Sequence, residues 1–182
     1  AILTDALGDP DPETLISVIW ALASLGDELV VPRIVDLYQV QDAGVRKMVV
    51  YALGVLPDDG VHTTLRAALQ DPVPDVQWNA AVSLARHGDV RGLVVLQRML
   101  DREYVSKQVT PSGNVADPVG EVMISGVRAV AALGQDGRTE VVRPTLAALA
   151  DADESLKVRQ AAMEAIAALE GGSLGERVAE RQ

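Results

Sequence analysis

One short pattern returns at a fixed spacing, and that spacing limits the possible folds more than any other feature of the chain. Ala21-Leu22-Ala23-Ser24-Leu25-Gly26-Asp27 recurs as Ala52-Leu53-Gly54-Val55-Leu56-Pro57-Asp58 and as Ser83-Leu84-Ala85-Arg86-His87-Gly88-Asp89, at a step of 31 residues. Ile34, Leu65 and Leu96 keep that step, each followed four residues later by Tyr38, Leu69 and Leu100. Asp9-Pro10 and Asp71-Pro72 lie 62 residues apart, two periods. Ala129–Gly134 and Ala165–Leu169 are further copies at wider steps of 46 and 36 residues. Three markers on one period indicate stacked repeats, in which each unit buries an apolar face against the next.

Each unit reads as two helices. The first carries apolar or small residues at helical spacing: Val45, Val49, Val50 and Leu53, then Val76, Ala80, Ala81 and Leu84, then Val158, Ala162, Met163 and Ile166. It begins after Asp-Pro or Asp-x-x-Pro, where Asp accepts from free N–H groups and Pro suits the first turn. It is expected to stop at Gly26, Pro57, Gly88 or Gly134, with Asp27, Asp58 and Asp89 capping the second helix. The second helix carries Ile34, Leu37 and Tyr38, then Leu65, Ala68 and Leu69, then Leu96, Met99 and Leu100. No strand pattern competes within the repeats.

Stacking of this kind explains the composition. The chain is 48% hydrophobic but only 3% aromatic, with no Phe and no Cys. Small side chains at Ala80, Ala81, Gly126, Ala161 and Ala162 let helices approach, where rings would hold them apart. The apolar content excludes a disordered chain. The lack of Cys excludes a disulfide framework and a Cys-ligated zinc site. Charge interrupts every apolar stretch before the roughly 18 residues a membrane-spanning helix needs. A net charge of −10 opposes binding to nucleic acid, whose phosphates require a basic surface.

The segment Asp71-Pro72-Val73-Pro74-Asp75-Val76-Gln77, leading to Ala80-Ala81-Val82-Ser83-Leu84 and Gly88-Asp89, resembles the HEAT-repeat superfamily. The likeness is to the short bacterial HEAT-like repeats of the phycobilisome-lyase type. Val45-Arg46 and Val158-Arg159 supply the Val-Arg pair common in that family. The resemblance implies an all-α fold, an α-solenoid (α-α superhelix) of about five HEAT-like helix pairs. It is expected to form one domain over 1–182: a partial unit at 1–8, then units near 9–40, 41–70, 71–103, 117–150 and 151–182. The family implies mainly a noncatalytic protein-binding scaffold, adaptor or assembly subunit; a bilin-lyase-like HEAT enzyme or cofactor chaperone is the alternative.

Residues that depart from the repeat are the candidate sites. An insertion at 102–117 breaks the period. Tyr104–Val109 alternates β-branched residues, and Thr110-Pro111-Ser112-Gly113-Asn114 is turn chemistry, so a short hairpin or an ordered loop is expected. It would offer Tyr104, Lys107, Gln108 and Asn114 to a partner; the plainer alternative is a tolerated surface insertion. Trp78 shares a register position with Ile16, Lys47, Ile124 and Gln160, so it is expected to be partly exposed, as a binding anchor or as cover for a seam between repeats. Arg98 lies on the exposed side of the second helices in register with Asp36, Ala67 and Ala147. These rows mix charges, which suits protein and not a phosphate backbone.

His62 stands where neighbouring units have Val31 and Leu93, and His87 where others have Leu25, Leu56, Leu133 and Leu169. They could pair as ligands or as a pH sensor. They lie on different helices of adjacent units with no carboxylate at ligand spacing, so two separate structural histidines are expected. No His-Glu motif, Gly-x-Ser-x-Gly or Gly-rich phosphate loop occurs. No enzyme activity, cofactor or metal is therefore expected. The expected partner is a protein, without nucleic acid or membrane insertion. The start Ala1-Ile2-Leu3-Thr4-Asp5 has no basic n-region, apolar run or initiator Met. It reads as a cytoplasmic fragment or processed product whose upstream signal could be missing.

Overall fold

The structure, a computed structural model, describes residues 2–57, 60–110, 116–134 and 139–179, without the side chains of residues 2 and 171–179. The described residues form α1 (Ile2–Asp5), α2 (Pro12–Leu25), α3 (Val31–Asp36), α4 (Ala43–Leu53), α5 (Val61–Ala68), α6 (Pro74–Arg86), α7 (Leu93–Met99), α8 (Arg102–Gln108), α9 (Pro118–Ala132), α10 (Arg143–Ala152) and α11 (Leu156–Ala179). Short 3-10 turns join several of them, and no strand occurs among the described residues. The fold is an all-α solenoid of helix pairs. It divides into two compact units, Ala1–His87 and Gly88–Gln182. The division falls inside the repeat expected at 71–103, leaving α6 in the first unit and α7 in the second.

In the first unit α2 packs on α4 and α4 on α6, while α3 and α5 pack against this row and each other. The apolar stripe read from the sequence is the core: Ile19, Ile34, Val49, Leu53, Leu65 and Leu84 are fully buried. Each such side chain contributes about 1.5–3 kcal/mol relative to exposure. Close approach is achieved at Gly54, where a Cβ would collide with the Ser83 side chain and come within 3.0 Å of its Cα. Ser83 Oγ is buried there and donates to Val50 O at 3.0 Å, so α6 is tied directly to the α4 backbone.

The helix ends follow local chemistry. Asp11, Asp42 and Asp117 accept from the N–H groups of Thr14, Val45 and Gly120, capping α2, α4 and α9. Gly26, Gly88 and Gly134 hold φ of 68°, 69° and 68°, the left-handed stop that glycine adopts without a steric cost. The unit expected to stop at Pro57 differs. Proline cannot take positive φ, and α4 ends three residues earlier, unwinding through Gly54 N→Val50 O and Leu56 N→Ala52 O bonds. Asp27 and Asp89 accept from Leu29 N and Arg91 N, so they cap the 3-10 turns that precede the second helices. Asp58 lies outside the described residues.

In the second unit α7 and α8 pack on α9, α9 on α11, and α10 on α11. Leu96, Val105, Met123, Val127, Leu146 and Val158 are fully buried. Gly126 is a true close approach, since a Cβ there would meet Met99 Cβ at 2.9 Å. The last repeat is not a pair: α11 runs 24 residues without a stop. The register position of Gly26 is occupied by Glu170, which has no easy access to left-handed φ.

Candidate functional site

Two sequence markers turn out to be halves of one device. Arg46, from the Val-Arg pair on α4, donates to Asp71, from the Asp-Pro pair before α6, through Nε at 2.8 Å and Nη2 at 3.0 Å. Asp71 Oδ2 also accepts from Tyr38 Oη at 3.0 Å, and Oδ1 from Val73 N at 2.9 Å. Arg46 Nη1 donates further to Gln41 O and Val40 O. Side-chain exposure is 12% for Arg46 and 2% for Asp71, so the clasp is close to dry. Burial pushes the Asp71 carboxyl up, but the hydrogen bonds from Arg46, Val73 and Tyr38 outweigh it and hold the group below its ordinary value. Burial, with the hydrogen bond to Asp71 and its charge, pushes the Tyr38 phenol up to about 12. These groups are consumed in holding repeats together.

The insertion builds a second clasp. The expected hairpin is absent over 102–108: that stretch is helix α8. Asp101 accepts from Tyr104 N at 3.0 Å as its cap, Lys107 pairs with Glu103 at i,i+4, and Val105 is fully buried on α9's side of the unit. These helix signals outweigh two β-branched residues. Arg102 Nε and Nη2 donate to Asp153 at 3.1 and 2.6 Å, and Nη1 to Glu154 at 3.1 Å, with Asp117 4.0 Å away. The hydrogen bond to Asp153 leads the causes that raise the Arg102 pKa. Asp153 Oδ1 accepts from Ser155 N just as Asp71 accepts from Val73 N.

Of the residues singled out for a partner, Arg98, Lys107 and Gln108 are exposed and Tyr104 half-buried, on the packed helices α7 and α8. Asn114 lies outside the described residues. Trp78 overturns its expectation: it is 4% exposed, and its indole Nε1 has no hydrogen-bond partner. A shared register position sets a helical angle but not what covers it; Lys47, in the same register, is exposed. The exposed indole is Trp20, 55% exposed on α2. At the same register on α4 stands Tyr51, with the Arg86 guanidinium of α6 stacked 5.6 Å from its ring centroid. The mixed occupancy of that register position, Trp20, Tyr51, Val82, Arg128 and Glu164, was the available signal.

The two histidines also overturn their expectation, because the packing of α5 on α6 brings them together. Their ring centroids are 5.3 Å apart, inclined at 60°, and both residues are half-buried. His87 Nε2 lies 2.9 Å from Leu53 O. A carbonyl only accepts, so Nε2 carries the proton and Nδ1 of the neutral ring carries the lone pair. Between α9 and α11, a groove lined by Glu121, Arg128, Lys157 and Glu164 over Ile124 and Ala161 carries both signs of charge. Among the described residues, no group of three or more His, Asp or Glu forms a metal cage, and no helix is long and apolar enough to cross a membrane.

The family model for HEAT repeats matches residues 1–54 and 41–109. No curated protein matches the sequence. Among solved structures, the chain is similar to the complex of CpcE and CpcF of phycocyanin lyase from Nostoc sp. PCC7120, with TM-score 0.68 and 20% identity, over 92% of this chain. It spans 63% of the length of that protein. It is also similar to the crystal structure of an engineered protein, with TM-score 0.57 and 19% identity, over 94% of this chain and 79% of the other. At these identities the likeness is one of fold.

Proposed function

We infer that this chain, which belongs to the HEAT-repeat family, is a protein-binding module: a scaffold, adaptor or assembly subunit whose repeats present side chains to another protein. The observation that carries this reading is Trp20, an indole 55% exposed in a chain with only two Trp. Trp is among the side chains most enriched at binding hot spots. Tyr51 under Arg86, in the same register, extends the surface with a second aromatic. Within the second unit, considered by itself, Arg98, Lys107 and Gln108 are exposed and Tyr104 half-buried, and they are the candidate contacts there. Similarity to a chain solved within a two-protein complex supports the same reading.

The test is co-purification with cross-linking from the source cell, comparing the native chain with Trp20→Ser and with an Arg98→Glu/Lys107→Glu double variant. Trp20→Ser is expected to weaken the captured partner at least tenfold, as for a hot-spot Trp worth about 2 kcal/mol or more. Partner recovery by both variants equal to that of the native chain would remove the reading.

The second reading is a lyase-like role on a bilin, supported by the similarity to phycocyanin lyase. Mixing the chain with a bilin at micromolar concentration distinguishes the two. A shifted absorbance band favours the lyase-like role, and an unchanged spectrum favours the scaffold.

A further inference from the structure

We propose that His62 and His87 form a binding site for a borderline divalent transition ion, Zn2+ or Cu2+, joining α5 to α6. Three observations converge. The first is separation. Two imidazoles on one tetrahedral ion, with metal–nitrogen bonds of about 2.0–2.1 Å, place their ring centroids roughly 5 Å apart; here the distance is 5.3 Å. The second is pre-orientation. A ligating histidine commonly donates its other ring N–H to a backbone carbonyl, which fixes tautomer and ring angle. His87 makes that bond to Leu53 O at 2.9 Å, leaving Nδ1 as the ligand atom.

The third observation comes from the period. One repeat earlier the same two register positions hold Val31 and Leu56, which are 3% and 0% exposed. The preceding repeat therefore fills both positions with buried apolar side chains. Replacing both members with imidazoles adds two polar rings where packing alone asks for none. Both histidines remain half-buried, so solvent ions can reach them.

The site supplies two protein ligands, and no larger cluster of His, Asp or Glu forms among the described residues. With two protein ligands the ion exchanges readily instead of acting as a permanent structural metal. Imidazole suits Zn2+, Cu2+ and Ni2+, and the stability order along the first row places Cu2+ highest. An occupied site ties α5 to α6 and raises the stability of the first unit by mass action.

The repeat itself furnishes the controls. His62→Val and His87→Leu restore residues that the neighbouring repeat already buries, so both variants are expected to fold, checked by circular dichroism. The native chain is titrated with Cu2+ and Zn2+ by calorimetry, and its Cu2+ complex is read by electron paramagnetic resonance. Expected are one site per chain, hyperfine structure from two nitrogens, and a rise in melting temperature with Zn2+. Each variant is expected to weaken binding at least tenfold and to lose the Zn2+-dependent rise. Affinity unchanged from the native chain in both variants, or a copper spectrum with oxygen ligands only, overturns the proposal and assigns the binding to surface carboxylates.

Discussion

The clasps Arg46–Asp71 and Arg102–Asp153 do the same task in the two units with different parts. In both, a forked guanidinium donates through Nε and Nη2 to an aspartate whose Oδ1 also accepts the N–H two residues on. In the first unit the arginine belongs to the repeat itself, on α4. In the second, the matching register position on α9 is Met123, fully buried, and the arginine comes from the insertion. The first clasp is drier, with Arg46 12% exposed against 23% for Arg102, and it recruits Tyr38. The second gathers Glu154 and Asp117 instead. The comparison teaches that α8 is a replacement part. The insertion supplies the cation that its repeat lacks, which gives α8 a structural duty beside any role in binding.

The largest expected effect separates the two clasps directly. Asp71→Ala strands a nearly dry guanidinium and is expected to cost about 3–5 kcal/mol. Both tryptophans lie in the first unit, so urea unfolding followed by indole fluorescence reads it. Arg102→Ala, in a wetter clasp, is expected to cost about 1–3 kcal/mol, read as faster hydrogen exchange in α8. Equal losses would break the distinction drawn from exposure.

Acid and alkali sharpen it further. Asp71 is held below its ordinary value, so its contribution is present above about pH 4 and fades as the pH falls below that. Tyr38 is raised to about 12, so its contribution is present below its unfolded value near 10 and fades as the pH climbs towards 12. Tyr38→Phe is expected to cost about 1 kcal/mol at neutral pH and to flatten the alkaline limb of the fluorescence-detected stability profile. An unchanged limb would show that Tyr38 does not carry it. The smallest expected effect is at Asp101. Removing this exposed cap with Asp101→Ala should cost about 0.5 kcal/mol, seen as fraying of α8 by hydrogen exchange while α4 stays protected.

Much of the fold is legible in the sequence because it is written locally. The 3.6-residue apolar stripe, the Asp-Pro caps at Asp11 and Asp117 and the glycine stops at Gly26, Gly88 and Gly134 each act within a turn or two of chain. The candidate sites were read less well. Trp78 is assigned partial exposure by register, which fixes a direction but not the neighbour lying in that direction. The β-branched residues of the insertion point to extended chain, while the cap at Asp101 and the Glu103–Lys107 pair, both visible in the sequence, carry the helix.

The sequence by itself determined the period, the helix pairs and the aliphatic core, since local hydrogen bonding and hydrophobic phase decide those. The tertiary structure alone decided the pairings across distance. Arg46 meets Asp71 across 25 residues, Arg102 meets Asp153 across 51, and His62 meets His87 because α5 packs on α6. A repeat pattern specifies which face each helix buries, but which polar groups come together there depends on how closely the helices approach, and that is set by packing over the whole unit.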